Sequence, residues 1–219
     1  MANRRLKYTT PASATNEGRE RERLYFQALG RFTHTFARAE SILTLAFWYY
    51  AKVPHKIARA VFSGVRVKDA SAAIRRLIQV SPVTAEAKAE LDDILGQMIA
   101  INDARNDILH YGATDIAEGK GAVTNELKAL TESHLTSFPI SADILNNMTT
   151  DLLKIMFHLR LHHSGIPALR SVSNQLAATT ALHAPWRYKH TAKQTPKDHK
   201  KAGAGNPPPK PSPKGQQKS

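Results

Sequence analysis

The fold and the candidate chemistry of this chain both centre on residues 102–112, whose sequence is NDARNDILHYG. The apolar residues that lead into this stretch recur at steps of three and four, which defines one buried helical face; they are Leu91, Ile94, Met98 and Ile101. The same rhythm places Arg105 and Ile108 on that face. An arginine there needs a carboxylate, a phosphate or a protein interface, because removing its guanidinium from water costs several kcal/mol.

Three polar residues of this stretch are predicted to form a stripe beside the buried face. Asn102, Asn106 and His110 are four residues apart, so they share one side of a helix. Gly112 follows as the predicted C-cap. Arginine and histidine side chains are therefore expected to meet near one helix end.

The pattern resembles the motif of HEPN domains, small helical bundles found in prokaryotic toxins and RNA-processing systems. Four residues separate Arg105 from His110, and Asn106 follows the arginine. The context is similar as well, because the motif ends a long helix preceded by two shorter ones and by a long aromatic-rich helix with FARAE at 36–40. The resemblance covers about residues 20–165.

This resemblance implies a metal-independent endoribonuclease that acts on RNA as a homodimer without a cofactor, in a toxin–antitoxin system with an antitoxin partner or in antiviral defence. The catalytic residues it implies are Arg105, Asn106 and His110. The supporting residues are Glu40, Asn102 and Tyr111. A second function stays open: a non-catalytic helical module that binds RNA or a protein partner through the same face.

Tyr111 differs from the family in its spacing. In some HEPN toxins a tyrosine two residues past the histidine accepts a nucleotide from a partner enzyme, whereas Tyr111 follows His110 directly. That regulatory chemistry is therefore not transferred to this chain.

Glu40 interrupts the apolar positions of the first helix in the way that Arg105 interrupts those of the fourth. The apolar positions of the first helix are Tyr25, Leu29, Phe32, Phe36, Leu43, Phe47 and Tyr50. An acid and a base buried in two helices relieve each other's desolvation if they face each other. The sequence therefore predicts an ion pair between Glu40 and Arg105.

Helical periodicity predicts an all-α, HEPN-like bundle of about five helices. The first helix is expected at 17–51 and the third at 68–80. The second, short helix begins after Pro54, ends at Gly64 and turns Ile57 and Val61 inward. The fourth runs from Ser81-Pro82 to Tyr111, and the fifth from Ser141 to His163. Residues 118–121, between Ile116 and Val123, predict a short hairpin. Residues 167–182 are expected to add a helix that is either docked on the bundle or partly formed.

The domain organisation follows from composition. We expect a flexible N-terminal arm at 1–16, the HEPN-like helical domain at 17–182 and a disordered Lys- and Pro-rich tail at 183–219. The chain carries a net charge of +13, and nine basic residues and one acid after position 186 supply +8 of it, which leaves +5 for the rest. The lysines of the tail lack interleaved aromatics, which favours non-specific attraction to phosphate over base stacking.

Several other classes of site and location are disfavoured. The chain has no cysteine, so it has neither disulfides nor thiolate metal sites. It has no apolar run of about 18 residues and no signal-peptide core, so we expect a cytoplasmic protein without a membrane partner. His158, His162 and His163 have a spacing that suits a metal, but a cluster at a helix end is the favoured interpretation. Asp92, Asp93, Asp103 and Asp107 are read as the solvated face of the fourth helix.

Overall fold

The computed structural model describes residues 15–126, 128–131, 134–163 and 184–190. Five helices and two short strands lie within those residues: α1 Asn16–Ala51, α2 His55–Phe62, α3 Val67–Gln79, α4 Ala85–Tyr111, β1 Ala122–Thr124, β2 Ser137–Pro139 and α5 Ala142–His162. The prediction of an all-α bundle of about five helices is confirmed. Residues 1–14 of the predicted arm, the helix predicted at 167–182 and residues 191–219 of the tail lie outside the described residues.

The core forms around α1, which packs mainly against α5 and α3. The buried face of α1 carries large side chains at steps of three and four, among them Tyr25, Phe32, Phe36, Leu43, Phe47 and Tyr50. Helices α4 and α5 contribute fully buried side chains such as Met98 and Leu152. Each large apolar side chain withdrawn from water in this way stabilises the bundle by about 1.5–3 kcal/mol.

Helix α2 turns a different face to the bundle from the one predicted. Ile57 and Val61, expected to point inward, are 53% and 64% exposed, whereas Ala58 is fully buried. Four residues after Ala58, the ring of Phe62 packs 4.6 Å from the ring of Phe47 in α1. Ile57 with Val61 and Ala58 with Phe62 are both four residues apart, so the apolar pattern of this short helix fits two orientations. The small side chain of Ala58 allows the closer approach.

Helix α4 begins later than predicted and ends where predicted. Its N-cap is Thr84, whose hydroxyl accepts a hydrogen bond from the N–H of Ala87 at 3.3 Å. Ser81, the predicted cap, instead donates its hydroxyl to the carbonyl of Leu77 at 2.8 Å, at the end of α3. Gly112 closes α4 with a φ of 72°, a conformation in which other residues are strained. Glycine thus fixes the end of the helix that carries the motif.

The predicted hairpin after α4 has a different form. The turn at 118–121 is closed by a bridge between Thr114 and Ala122. Strand β1 itself pairs antiparallel with β2, which places Val123 opposite Phe138. Strand β1 thus has partners on both sides, and its central residue Val123 is 1% exposed and belongs to the core.

Residues 184–190, which we call the C-terminal strap, pack on the bundle, although the sequence predicts disorder from 183 onward. The carboxylate of Asp151, a residue that is 1% exposed, accepts hydrogen bonds from the backbone N–H groups of Arg187 and Tyr188 at 3.0 and 2.8 Å. Tyr188 is itself buried. The prediction of disorder is wrong for this segment because a buried carboxylate requires donors, and the strap backbone supplies two of them.

Two further contacts hold the strap through Trp186. Its indole N–H donates to the carboxylate of Asp93 in α4 at 2.8 Å. The ammonium of Lys154 in α5 lies 4.1 Å from the centroid of the Trp186 ring and donates to the carbonyl of Ala184 at 2.5 Å. Burial of this ammonium lowers the pKa of Lys154, against the opposing effect of nearby carboxylates. The strap therefore joins α4 to α5.

Candidate functional site: the motif cleft

A cleft of about 850 Å³ opens between α1, the connection from α2 to α3, and the C-terminal half of α4; we call it the motif cleft. Helix α1 contributes Glu40, Ser41 and Thr44, residues 64–69 form a second wall, and α4 contributes Asn102, Arg105, Asn106 and His110. Five of the six predicted site residues therefore line one cleft. Tyr111 is not among the lining residues.

The polar stripe of α4 forms as its four-residue spacing predicts. Its exposure rises along the helix: Asn102 is 9% exposed, Asn106 is half-buried and His110 is exposed. The amide of Asn102 donates to the carboxylate of Asp103 at a long 3.4 Å. The imidazole thus stands at the open end of the cleft, where a ligand can reach it from solvent.

Arg105 is half-buried and held by its neighbours in two ways. Its Nη1 donates to the side-chain oxygen of Asn106 at 3.0 Å. Its guanidinium carbon lies 5.2 Å from the centroid of the Phe36 ring, a cation–π contact that also supports the planar group. Its Nε is buried and has no hydrogen-bond partner among the described residues. The arginine is therefore positioned, and a ligand in the cleft has to bind through the Nη groups, because Nε is closed to solvent.

The predicted ion pair between Glu40 and Arg105 is wrong. Both side chains line the motif cleft, but none of the ion pairs within 4.0 Å in the described part of the chain joins them. The physical reason is that neither charge is fully desolvated. Glu40 is half-buried on an open cleft, and Arg105 is stabilised by Phe36 and Asn106 instead. The helical period located both residues correctly but could not specify this pairing.

Residues 64–69 bring to the cleft basic side chains that the sequence pattern did not predict there. Arg66 and Lys68 flank the start of α3, and the ammonium of Lys68 forms an ion pair with the carboxylate of Asp103 in α4 at 2.8 Å. The signal in the sequence is the alternation of basic and apolar residues directly after Gly64. With a neutral histidine, three cations and two carboxylates line the cleft, so it carries a net charge of +1.

Tyr111 and Lys128 contact each other at the C-terminal end of α4, outside the motif cleft. The ammonium of Lys128 donates to the main-chain carbonyl of His110 at 3.1 Å and lies 5.2 Å from the centroid of the Tyr111 ring. A cation at a helix C-terminus is favourable because it opposes the negative end of the helix dipole. Tyr111 therefore supports the backbone that carries His110.

The other candidate groups from the sequence have structural partners. His158 contacts Glu90 at 2.6 Å, and the hydroxyl of Tyr50 contacts Nδ1 of His163 at 2.5 Å. Within the described part of the chain, no cluster of three or more His, Cys, Asp or Glu side chains is arranged to hold a metal. The side chain of His162 lies outside the described residues. Among the acids of α4, Asp92 pairs with Arg75 at 2.6 Å, Asp93 holds Trp186 and Asp103 holds Lys68.

Comparisons of this chain with protein-family models, curated proteins and solved structures found no match. The resemblance to HEPN domains therefore stays a prediction from the sequence. In the part of the chain that the structure describes, no helix is both long enough and apolar enough to cross a bilayer.

Proposed function

We propose that this protein is a metal-independent endoribonuclease of the HEPN type. The supporting observation is that Arg105, Asn106 and His110 line one solvent-open cleft at the end of α4. The arginine is oriented by Phe36 and Asn106, and the histidine is exposed at the mouth of the cleft. This combination of a positioned cation and an accessible imidazole suits cleavage of a phosphodiester by the 2′-hydroxyl of RNA.

In the proposed reaction a 2′-oxygen forms a bond to the adjacent phosphorus, and the bond from phosphorus to the 5′-oxygen of the next nucleotide breaks. The attacking hydroxyl loses a proton and the leaving oxygen gains one, which yields a 2′,3′-cyclic phosphate and a 5′-hydroxyl. His110 transfers protons because imidazole does so near neutral pH. Arg105 stays protonated and can bind two phosphate oxygens, so it stabilises the charge that gathers on phosphorus. Asn106 keeps Arg105 in place and orients the phosphate.

The reaction needs one group that accepts a proton and one that donates a proton. Each motif cleft contributes one imidazole, that of His110. We therefore propose a homodimer in which the motif ends of two α4 helices meet, so that two copies of His110 serve one phosphodiester. Light scattering at micromolar protein concentration should show the dimer, and a monomer under all conditions would contradict a composite site.

One observation favours the alternative function, a non-catalytic module that binds RNA or a protein partner. Among the described residues, no side chain forms a hydrogen bond with the ring of His110. A catalytic base is commonly oriented by a hydrogen bond from another side chain. For His110 that hydrogen bond would have to come from a second copy of the chain or from the substrate. Arg105 could bind a phosphate in either case.

The test is a cleavage assay of purified protein on mixed single-stranded RNA, with and without EDTA. His110→Ala and Arg105→Ala should each reduce cleavage by about 10²-fold or more. His34→Ala removes an exposed histidine of α1 outside the cleft and should leave cleavage unchanged. Wild-type products should carry a 2′,3′-cyclic phosphate, and EDTA should have no effect.

Three outcomes would contradict the ribonuclease. Cleavage that disappears with EDTA, or that persists in His110→Ala, would exclude the proposed mechanism. RNA binding that depends on Arg105 without any cleavage would instead support the binding module.

A further inference from the structure

The second wall of the motif cleft has a feature that the proposed reaction does not use. Helix α2 ends at Phe62, and Gly64 turns the chain with a φ of 77°. Arg66 then occupies the N-cap position of α3 without making a side-chain capping hydrogen bond. The side chain of Arg66 is exposed and borders the cleft that contains Arg105 and His110.

The two basic residues of this wall differ in their partners. Lys68 is held by Asp103 at 2.8 Å, so its charge is already compensated. Within the described residues, no carboxylate lies within 4.0 Å of the guanidinium of Arg66. An arginine presents a planar fork of donors that fits two phosphate oxygens. Arg66 is therefore the cation on this wall that can take an anionic ligand without losing an ion pair.

The size and lining of the cleft indicate the kind of ligand. Pockets that enclose a small ligand have volumes of about 300–1,000 Å³, and at about 850 Å³ this cleft has room for more than one phosphate group. None of its thirteen lining residues is Phe, Tyr or Trp, so these walls lack the large aromatic rings that single-strand binding proteins use for base stacking. Contacts to phosphate position a nucleic acid without reading its sequence.

We propose that Arg66 binds the phosphate next to the one held by Arg105, so that the cleft takes two successive phosphates of an oligonucleotide. This proposal rests on the proposed function, since it assigns the scissile phosphate to Arg105. It makes the substrate a polynucleotide backbone of little sequence preference rather than a lone phosphate ester. Arg66 is then a substrate-binding residue outside the sequence motif.

The test compares two uncleavable probes, a deoxydinucleotide with one internal phosphate and a deoxytrinucleotide with two, both lacking terminal phosphates. Binding is followed by NMR titration of wild type, Arg66→Ala and Arg76→Ala. Arg76 is an exposed arginine of the same helix, ten residues further along and outside the cleft, which makes it the matched control. Urea unfolding checks that all three proteins are equally stable.

Arg66→Ala should weaken binding of the trinucleotide about tenfold, the loss expected for one hydrogen bond to a charged group, and should leave dinucleotide binding unchanged. Arg76→Ala should alter neither. In RNA cleavage, Arg66→Ala should raise KM with little change in kcat, because this contact is the same in the ground state and the transition state. Arg105→Ala should lower kcat.

The outcomes separate this proposal from the ribonuclease itself. Equal losses for both probes, or no loss beyond that of Arg76→Ala, would overturn the second phosphate site even if wild type cleaves RNA. Failure of wild type to bind either probe would overturn it as well. A loss confined to the trinucleotide in a protein that does not cleave RNA would support the phosphate site and reject the ribonuclease.

Discussion

The buried carboxylate of Asp151 accepts the backbone N–H of Tyr188 at 2.8 Å, across 37 residues of sequence. The same carboxylate accepts the N–H of Arg187 and the side-chain amide of Gln97 in α4. The amide of Gln97 also donates to the carbonyl of Tyr188 at 3.0 Å. One polar centre thus fixes the strap, α4 and α5 together, so the folded unit includes residues 184–190.

Replacing Asp151 should therefore destabilise the protein. Asp151→Ala leaves two backbone N–H groups without their acceptor and removes one of the two acceptors of the Gln97 amide, and each buried donor left unpaired costs about 1–3 kcal/mol. Urea unfolding at neutral pH measures the loss. Asp143→Ala is the control, because Asp143 is exposed in the first turn of the same helix and should cost at most about 1 kcal/mol. Equal effects of the two changes would show that the strap adds little to stability.

Truncation should separate the strap from the tail. Ending the chain after residue 190 removes seven lysines and one acid, and should leave the free energy of unfolding unchanged. It should flatten the dependence of RNA affinity on salt, since each phosphate contact to a single strand contributes a slope of about 0.7. Ending the chain after residue 183 should also lower stability. An unaltered salt dependence would mean that the tail does not contact RNA.

Two glycines provide a matched pair for substitution. A Cβ at Gly121 would collide with the carbonyl oxygen of Ile140 and lie 2.5 Å from Cδ1 of Ile116, so Gly121→Ala should destabilise by about 1–3 kcal/mol. Gly30 lies within α1, and apart from its own turn of helix no atom lies within 4 Å of the position a Cβ would take, so Gly30→Ala should stabilise by about 0.5–1 kcal/mol. Thermal unfolding of both variants checks the prediction. A Gly121→Ala variant that unfolds at the same temperature as wild type would contradict the close contact between Gly121 and Ile140.

Alkaline pH should weaken the fold through its buried tyrosines. Burial, with smaller effects from Asp107 and Asp103, raises the pKa of Tyr188 to about 12, and burial also raises the pKa of Tyr50 to about 12. The folded state holds these protons more tightly than the unfolded state does. Their contribution to the free energy of unfolding is therefore complete below pH 10 and is lost as pH rises toward 12. Burial also raises the pKa of Tyr25, so ultraviolet titration of phenolate should show all three groups ionising late in the folded protein and near 10 in urea. Tyr188→Phe should remove one late group; no late group in wild type would contradict this burial.

The long elements and the polar stripe were predictable because they depend on local spacing. Helices α1, α4 and α5 have apolar residues at steps of three and four over many turns, and such patterns fix which face is buried. The shared side of Asn102, Asn106 and His110 follows from the same geometry. Neither result needs knowledge of contacts distant in sequence.

The features that were missed depend on such distant contacts. Asp151 meets the strap across 36 and 37 residues, and composition alone placed the strap in the tail. The signal was the pair of aromatics Trp186 and Tyr188 ahead of a tail with none. Arg66 joins the cleft because α3 packs beside α4, which no local pattern encodes. Arg105 pairs with a neighbour and a ring rather than with Glu40 because an open cleft lets water compensate a half-buried charge.

Replacing Arg105 with lysine separates the effect of the side chain's shape from the effect of its charge. Arg105→Lys keeps the charge but loses the fork that binds two phosphate oxygens, the hydrogen bond to Asn106 at 3.0 Å and the stacking over Phe36. We expect RNA cleavage to fall nearly as far as in Arg105→Ala, by about 10²–10³-fold, the loss typical of removing one donor to a transition state. Arg76→Lys, outside the cleft, is the control and should cleave normally. If Arg105→Lys retained activity close to that of wild type, a simple positive charge would suffice at this position, and the assignment of two phosphate oxygens to Arg105 would be wrong.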